Sequence, residues 1–352
     1  MALRAVDGSA GPPWERPLAG TLDRLIVDSE LLAGNPLSDP SRRPLQVYRP
    51  PGVDADHPRA LPSIYVVQGY FGQLDSWWRR EPFEPNVFER VDAMFAAGDC
   101  PAAIVVFVDA WTSYGGSQFL NSTGTGRYQD YLCDEVVSFV DGRYPTAADR
   151  DHRGITGKSS GGYGAMVVPM MRPDVFGALA SHAGDALFEC SYVPGFRETA
   201  RKLRDEFEGS YDTFFERLAE ADRFDMGRFG TPLMNYGCAA CFSPDPDRPG
   251  KPLLPFEVST GRLVDEVWER WLELDPVRMA PRHADALRSM RRIYLDAGRG
   301  DEWYLDLGAQ AFAGELEKLG ASHTLELFDG KHGGLGYRYP AAIRELVLAL
   351  GA

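Results

Sequence analysis

The sequence has few cysteines and lacks any long apolar run. Its five cysteines are an odd number in a chain of 352 residues, which is typical of reduced thiols and argues against a disulfide framework. No stretch approaches the roughly 18 consecutive apolar residues that a membrane span requires. The first residues also lack the basic start and apolar core of a secretory signal. We therefore expect a cytoplasmic protein with no membrane partner.

Positive charge is also scarce. The chain has 37 lysine and arginine residues against 51 acidic ones, which gives a net charge of −14. A nucleic-acid-binding protein needs a basic surface, and no dense cluster of basic residues supplies one here. The proportions of 44% hydrophobic and 25% charged residues are those of a globular protein, so the chain as a whole is not disordered. We expect a small-molecule substrate and no nucleic-acid partner.

Two of the cysteines, Cys238 and Cys241, form a C-x-x-C pair. A zinc site would need a second pair of cysteine or histidine ligands at matching spacing, and the sequence has none. A redox motif would open a helix directly after a strand, and that context is also absent. We interpret the pair as packing thiols, and we predict no metal site and no organic cofactor.

Apolar strands alternate with amphipathic helices in both end regions of the chain. The predicted strands are residues 22–27, 45–48, 63–67, 103–108, 293–296 and 324–328. Two of them, 63–67 and 103–108, are continuously apolar and β-branched, the pattern of strands buried on both faces of a parallel sheet. Strands that alternate with helices predict an α/β fold with a mostly parallel, doubly wound sheet.

The length of the chain is compatible with two average domains or one large domain. Residues 1–18 are rich in glycine, proline and charge and are interpreted as a flexible leader. Residues 185–292 contain helical patterns and proline-rich loops but no clear buried strand. We therefore predict one sheet domain, residues 19–184 and 293–352, interrupted by a cap insertion at 185–292.

The segment Gly157-Lys158-Ser159-Ser160-Gly161 matches G-x-S-x-G, the sharp turn that presents a nucleophilic serine between a strand and a helix. The glycines are needed because the strained turn leaves no space for Cβ atoms. A phosphate-binding loop also ends in Gly-Lys-Ser, but it would need glycine at the position of His152. The motif therefore favours Ser159 as a nucleophile.

A serine nucleophile needs a histidine base held by a carboxylate, and on such a sheet the chain order is Ser, then Asp or Glu, then His. Of six histidines, His332 is the one in a glycine-rich loop after the last predicted strand. The loop after residues 293–295 supplies the acid. Asp301 is the first candidate because it lies beyond the strand, and Asp296 is the alternative.

Stabilisation of the oxyanion requires two preorganised N–H donors. The backbone amide of Ser160 is one candidate, since it follows the nucleophile. The other is the amide of Tyr70 in the turn formed by residues 68–72, where glycines 69 and 72 let the backbone approach a substrate closely.

Aromatic residues and one lysine are candidates for contacts with the substrate. These candidates are Trp77, Trp78, Tyr114, Tyr236 and Lys158, with Trp111 and Phe242 as further aromatic residues near the expected site. Only five lysines are present, and two of them, Lys158 and Lys331, directly precede the proposed nucleophile and base. We hypothesise that these two create a local positive field that favours an anionic ester.

Together these segments resemble the putative-esterase family of α/β hydrolases, which includes S-formylglutathione hydrolases, feruloyl and acetylxylan esterases, enterochelin-esterase-like enzymes and secreted mycolyltransferases. The resemblance rests on residues 47–52, 64–72, 126–131, 157–165, 300–301 and 331–333. It implies an α/β-hydrolase fold, a Ser159, Asp301 and His332 triad, and an oxyanion hole formed by the amides of Tyr70 and Ser160. Gln68 stands where many members have histidine.

The predicted activity is hydrolysis of carboxylic esters through an acyl-enzyme intermediate, most simply of a small-molecule ester. An acyltransferase or a thioesterase would use the same residues and would differ only in which nucleophile enters second. A non-catalytic binding protein on the same fold is a third alternative.

Overall fold

The computed structural model describes residues 16–54, 57–58 and 60–351, so most of the leader predicted at residues 1–18 lies outside the described residues. The strands are β1 Thr21–Asp28, β2 Arg42–Arg49, β3 Ser63–Val67, β4 Ile104–Val108, β5 Asn121–Ser122, β6 Gly126–Arg127, β7 Arg153–Lys158, β8 Ala178–His182, β9 Arg292–Gly298 and β10 Thr324–Phe328. The α-helices are α1 Val87–Ala96, α2 Tyr128–Asp130, α3 Val137–Asp141, α4 Ser160–Met171, α5 Phe188–Ser191, α6 Val193–Glu206, α7 Tyr211–Glu220, α8 Thr231–Phe242, α9 Asp265–Leu272, α10 Pro276–Met279, α11 Ala284–Arg288, α12 Leu305–Leu319 and α13 Tyr339–Leu350. None of the helices in the described ranges combines the length and the apolar character that crossing a membrane requires.

Eight of the strands form one sheet in the order β1-β2-β4-β3-β7-β8-β9-β10. β2 is antiparallel to both of its neighbours. The other six strands after it in the sheet, β4, β3, β7, β8, β9 and β10, run parallel to one another. The predicted mostly parallel sheet is confirmed. β5 and β6 form a separate two-residue ladder that the sequence pattern did not predict.

Helices cover both faces of the sheet. α1 and α13 pack on one face, where Phe88 and Ile343 contact the alternate side chains of the central strands. α4 and α12 pack on the other face. Every residue of β3 and of β4 is buried, as expected for continuously apolar strands between two helical layers.

The seven helices α5 to α11 lie in the chain between β8 and β9, where the cap insertion was predicted. Their core is continuous with that of the sheet, because Trp271 of α9 and Phe196 of α6 belong to the same buried cluster as Val106 of β4 and Ile155 of β7. The domain boundaries stay a prediction, but this packing favours one cooperative unit over two.

Replacing Trp271 with alanine is expected to lower the stability of the whole chain by about 3–5 kcal/mol, because a fully buried indole leaves a cavity. Its Nε1 also donates a hydrogen bond of 2.9 Å to Ser243 Oγ. Calorimetry should show one unfolding transition at a lower temperature. Phe224→Ala is the control, since that ring is 44% exposed. Two separate transitions in the Trp271 variant would contradict a shared core.

Candidate active site

Ser159 lies between the last residue of β7 and the first residue of α4. Its backbone has φ 59° and ψ −125°, a conformation that residues other than glycine rarely adopt. The flanking glycines make this turn possible. A Cβ on Gly157 would lie 2.5 Å from the backbone of Gly161, and one on Gly161 would lie 2.4 Å from the carbonyl oxygen of Val67. The motif thus has the local geometry of a strained turn that presents the Ser159 hydroxyl.

The structure brings Asp301 and His332 to this turn. His332 Nε2 lies 3.1 Å from Ser159 Oγ, and His332 Nδ1 lies 2.8 Å from Asp301 Oδ2. The other oxygen of Asp301 accepts a hydrogen bond of 2.9 Å from the backbone N–H of Trp303, which fixes the carboxylate. The Asp301 side chain has no exposure to solvent, and that of His332 is 15% exposed.

Two loops at the carboxyl ends of β9 and β10 carry these two side chains. The two loops touch because β9 and β10 are hydrogen-bonded neighbours in the sheet. The Gly300 N–H donates a hydrogen bond of 2.9 Å to the carbonyl of Gly330. A Cβ on Gly298 would lie 2.6 Å from Gly330, so the contact requires glycine. The His332 backbone N–H also donates to Glu302 Oε2 at 3.1 Å, which ties the histidine loop to the aspartate loop.

Asp296, the alternative acid, is held elsewhere. Its carboxylate lies 2.8 Å from Nδ1 of His182 and accepts a bond of 2.9 Å from Nε of Arg338. The side chains of Asp296 and His182 are completely buried. The pair sits beneath the turn, because the carbonyl of His182 accepts a 3.0 Å hydrogen bond from the Ser159 N–H. Of the two candidates, only Asp301 contacts His332.

The amides of Tyr70 and Ser160 are the predicted oxyanion donors. Within the described part of the chain neither N–H is paired with another protein group, and Ser160 opens α4, where the first N–H groups have no partner in the helix. A Cβ on Gly69 would lie 2.9 Å from the carbonyl oxygen of Lys158 and 3.4 Å from Ser159 Cβ, so the loop of Tyr70 lies directly against the serine turn.

Three contacts hold this loop. The Phe71 N–H donates a bond of 2.9 Å to the carbonyl of Gly115, and the Tyr70 hydroxyl donates one of 2.7 Å to the carbonyl of Tyr114. Gln68, the residue that departs from the histidine of many family members, donates from Nε2 to the carbonyl of Gly72 and closes the turn. The glutamine therefore has a structural partner within the loop.

A cavity of about 380 Å³ opens at Ser159. It is lined by Gly69, Tyr70, Phe71, Lys158, Ser159, Ser160, Asp185, Ser191, Tyr192, Glu198, Lys202, Met226, Gly227, Gly230, Thr231, Met234, Trp303, Leu305 and His332. The walls contributed by α8, the turn before it and α12 are mostly apolar, whereas the floor near Ser159 is polar. The shape suits a small molecule with one apolar part and one polar part.

Asp185 is a buried polar residue of this cavity that the sequence did not single out. Its Oδ2 accepts hydrogen bonds from Ser160 Oγ at 3.0 Å and from the Tyr192 hydroxyl at 2.9 Å, and Gln118 Nε2 lies 3.4 Å away. Burial raises the pKa of the Asp185 carboxyl, and these donors oppose the rise. Its place three residues after β8, at the same sheet edge as Ser159, is the signal that could have identified it.

Four of the predicted substrate-binding residues do not line this cavity. Trp77 and Trp78 pack into the helical layer instead, on Tyr339 and on Phe88 respectively. The expectation that these two tryptophans contact the substrate is corrected, because their rings fill clefts in the helical layer.

Tyr114 and Tyr236 pack edge to face with ring centroids 5.2 Å apart, and the Tyr114 hydroxyl donates to the carbonyl of Gly250. They anchor the loop of Tyr70 against α8, one layer behind the cavity, and the expectation for them is corrected too. Trp111 and Phe242 are also absent from the cavity wall. Lys158 is the one residue of the predicted substrate-binding set that lines it.

The described residues contain no cluster of three or more histidine, cysteine, aspartate or glutamate side chains that could hold a metal ion. Cys238 and Cys241 lie on α8 as buried free thiols. Burial raises the pKa of Cys241 to about 12 and that of Cys238 well above its usual range, so both remain protonated near neutral pH.

Comparison with known proteins adds a family and a fold. Residues 39–333 match the model of a family described as putative esterase. Over 178 residues the chain is 25% identical to an uncharacterised protein of Corynebacterium glutamicum, a match that covers 51% of this chain and 38% of that relative. The chain thus spans much less than two thirds of the length of that curated relative.

Solved structures with similar folds include three hydrolases. A ferulic acid esterase has a TM-score of 0.59 at 17% identity, and the match covers 95% of this chain and 98% of the esterase chain. A fluorophosphonate-binding serine hydrolase of Staphylococcus aureus has a TM-score of 0.55 at 14% identity, covering 95% and 99%. An S-formylglutathione hydrolase from Agrobacterium tumefaciens has a TM-score of 0.54 at 14% identity, covering 96% and 97%. At these identities the similarity shows the α/β-hydrolase fold.

Proposed function

The chain belongs to the putative esterase family, and on that premise we propose that it hydrolyses carboxylic esters of small molecules through an acyl-enzyme intermediate on Ser159. The observation that carries the proposal is the continuous contact from Ser159 Oγ to His332 Nε2 and from His332 Nδ1 to Asp301, at 3.1 Å and 2.8 Å. This is the arrangement that a weak serine nucleophile needs for activation.

Acylation begins with the ester carbonyl in the cavity beside Ser159. Ser159 Oγ bonds to the carbonyl carbon while its proton passes to His332 Nε2, and the imidazolium is stabilised by Asp301. The carbonyl oxygen becomes an oxyanion, which accepts hydrogen bonds from the N–H groups of Tyr70 and Ser160. The bond to the alcohol oxygen then breaks, His332 returns its proton to that oxygen, and the alcohol leaves.

Deacylation uses the same residues with water as nucleophile. Water attacks the acyl carbon and gives one proton to His332 Nε2, the oxyanion forms again, and the bond to Ser159 Oγ breaks as Oγ recovers a proton from the histidine. The products are a carboxylic acid and free enzyme. No step needs a metal or an organic cofactor.

The intermediate provides a direct test. Rapid mixing with para-nitrophenyl acetate should release a burst of para-nitrophenol equal to the enzyme concentration, and acid quenching should leave one acetyl group on Ser159 by mass spectrometry. Repeating the reaction with added alcohol or thiol and analysing the products distinguishes hydrolysis from acyl transfer. Turnover with no acyl group on Ser159 would contradict the proposal.

Gly69→Ala is expected to lower kcat by about a hundredfold, because the new Cβ would lie 2.9 Å from the Lys158 carbonyl and would push the Tyr70 amide away from the serine turn. Steady-state kinetics with para-nitrophenyl acetate measures the loss. Gly314→Ala on α12 is the control, since nothing lies within 4 Å of its Cβ position. Equal activity of both variants would show that the position of the Tyr70 amide does not matter.

A further inference from the structure

Lys158 differs from the other lysines of the site in having no acidic partner. Lys202, which also lines the cavity, lies 2.6 Å from Glu198 and donates to the carbonyl of Gly227 at 2.5 Å. Lys331 lies outside the cavity, 75% exposed and 3.6 Å from Glu302. Among the described residues no carboxylate forms an ion pair with Lys158, and no hydrogen bond holds its ammonium group.

The surroundings of Lys158 make its lack of an acidic partner energetically unfavourable. Burial lowers the pKa of its ammonium group, and the carboxylates of Asp301, Asp185 and Glu302 oppose that shift from a distance. The first is committed to His332 and the second to Ser160 and Tyr192, so neither is available as a direct partner. Lys158 is partly buried, and a partly desolvated charge that lacks a pair is stabilised when an anion enters.

On the basis of the proposed function, we propose that Lys158 binds a carboxylate carried by the substrate, so that the preferred substrates are esters with one anionic group near the scissile bond. Lys158 directly precedes the nucleophile in the chain and lines the same small cavity as Ser159 and His332. The anionic group therefore lies within a few bonds of the ester carbonyl, while the apolar part of the substrate occupies the wall formed by Met226, Met234 and Leu305.

A single carboxylate fits this cavity better than a phosphate group. The described residues that line it include no arginine, and the second lysine is neutralised by Glu198. Phosphate recognition usually combines several donors or a bidentate guanidinium, whereas one ammonium suits one charge. Lys331 is excluded from this role because its side chain pairs with Glu302 outside the cavity.

The test compares pairs of esters in which a carboxylate is replaced by a neutral group at the same position. On the acyl side the pair is the para-nitrophenyl monoester of adipic acid and para-nitrophenyl hexanoate. On the alcohol side it is the acetate ester of meta-hydroxybenzoic acid and that of the corresponding primary amide. For at least one pair the wild type should show the higher kcat/KM with the anionic ester, and Lys158→Met should lower the anionic-to-neutral ratio by roughly tenfold to a hundredfold.

Control variants separate a specific contact from a general field. Lys331→Met should leave the ratio as in the wild type, and Lys158→Arg should restore most of the preference that Lys158→Met loses. The proposal is overturned if the wild type prefers neither anionic ester, if Lys158→Met lowers kcat/KM equally for both members of each pair, or if Lys331→Met changes the ratio as much. A wild type that hydrolyses neutral and anionic esters without preference would refute this role of Lys158 and leave the proposed esterase function standing.

Discussion

Ser159→Ala is expected to lower kcat for para-nitrophenyl acetate by about 10⁶-fold, the scale of loss seen when a triad nucleophile is removed. The reason is chemical, because alanine has no atom that can form the acyl-enzyme. The fold should survive, since the only hydrogen bond of Ser159 Oγ among the described residues is the one to His332, and the backbone bond from Ser159 N–H to the carbonyl of His182 is kept. Stopped-flow and long-time assays together cover this range of rates.

Ser160→Ala is the matched control for that variant. It removes the hydroxyl that donates to Asp185 but keeps the backbone N–H placed for the oxyanion, so we expect a loss of about tenfold or less. Circular dichroism should show both variants folded. If Ser159→Ala keeps a substantial part of the wild-type kcat, the nucleophile is a different group and the proposed mechanism is wrong.

Asp301→Asn is expected to lower kcat by about 10⁴-fold. An amide at this position can donate a hydrogen bond to His332 Nδ1, which selects the tautomer that carries its proton on Nε2 and blocks acceptance of the serine proton. It also removes the negative charge that stabilises the imidazolium. The loss should appear in kcat and in kcat/KM together, because the aspartate acts through the histidine and does not line the cavity.

Asp296→Asn provides the contrast, because the carboxylate of Asp296 holds His182 and Arg338 within the core. Breaking a buried charged network destabilises a protein by about 3–5 kcal/mol. We therefore expect a lower melting temperature for Asp296→Asn than for Asp301→Asn, because only Asp296 also pairs with an arginine. If Asp301→Asn keeps near-normal kcat, the orienting role belongs to another carboxylate.

The sequence was sufficient to predict the sheet and the residues at its carboxyl edge. Continuous apolar runs identify β3 and β4, because strands buried on both faces leave no polar alternation. Chain order and loop position then bring Ser159, Asp301 and His332 to one edge of a parallel sheet. The choice between Asp301 and Asp296 stayed open, because no sequence pattern indicates that Asp296 faces His182 in the folded protein.

The lining of the cavity could not be predicted in the same way. It depends on how helices α5 to α11 fold over the sheet. This long-range packing produces no periodic pattern in the sequence that would identify the residues of the cavity wall. Trp77 and Tyr236 are aromatic, as many pocket residues are, but their rings fill clefts between helices. Asp185 is of a residue type that usually lies on the surface, but its side chain is buried beside Ser160.

A fluorophosphonate probe identifies an activated serine directly, because this reagent forms a stable bond only with a serine activated by its neighbours. The proposed mechanism predicts one probe per wild-type chain, mapped to Ser159 by peptide fragmentation and lost in Ser159→Ala and His332→Ala. Labelling of a different residue, or no labelling of a wild-type sample that hydrolyses esters, would contradict it.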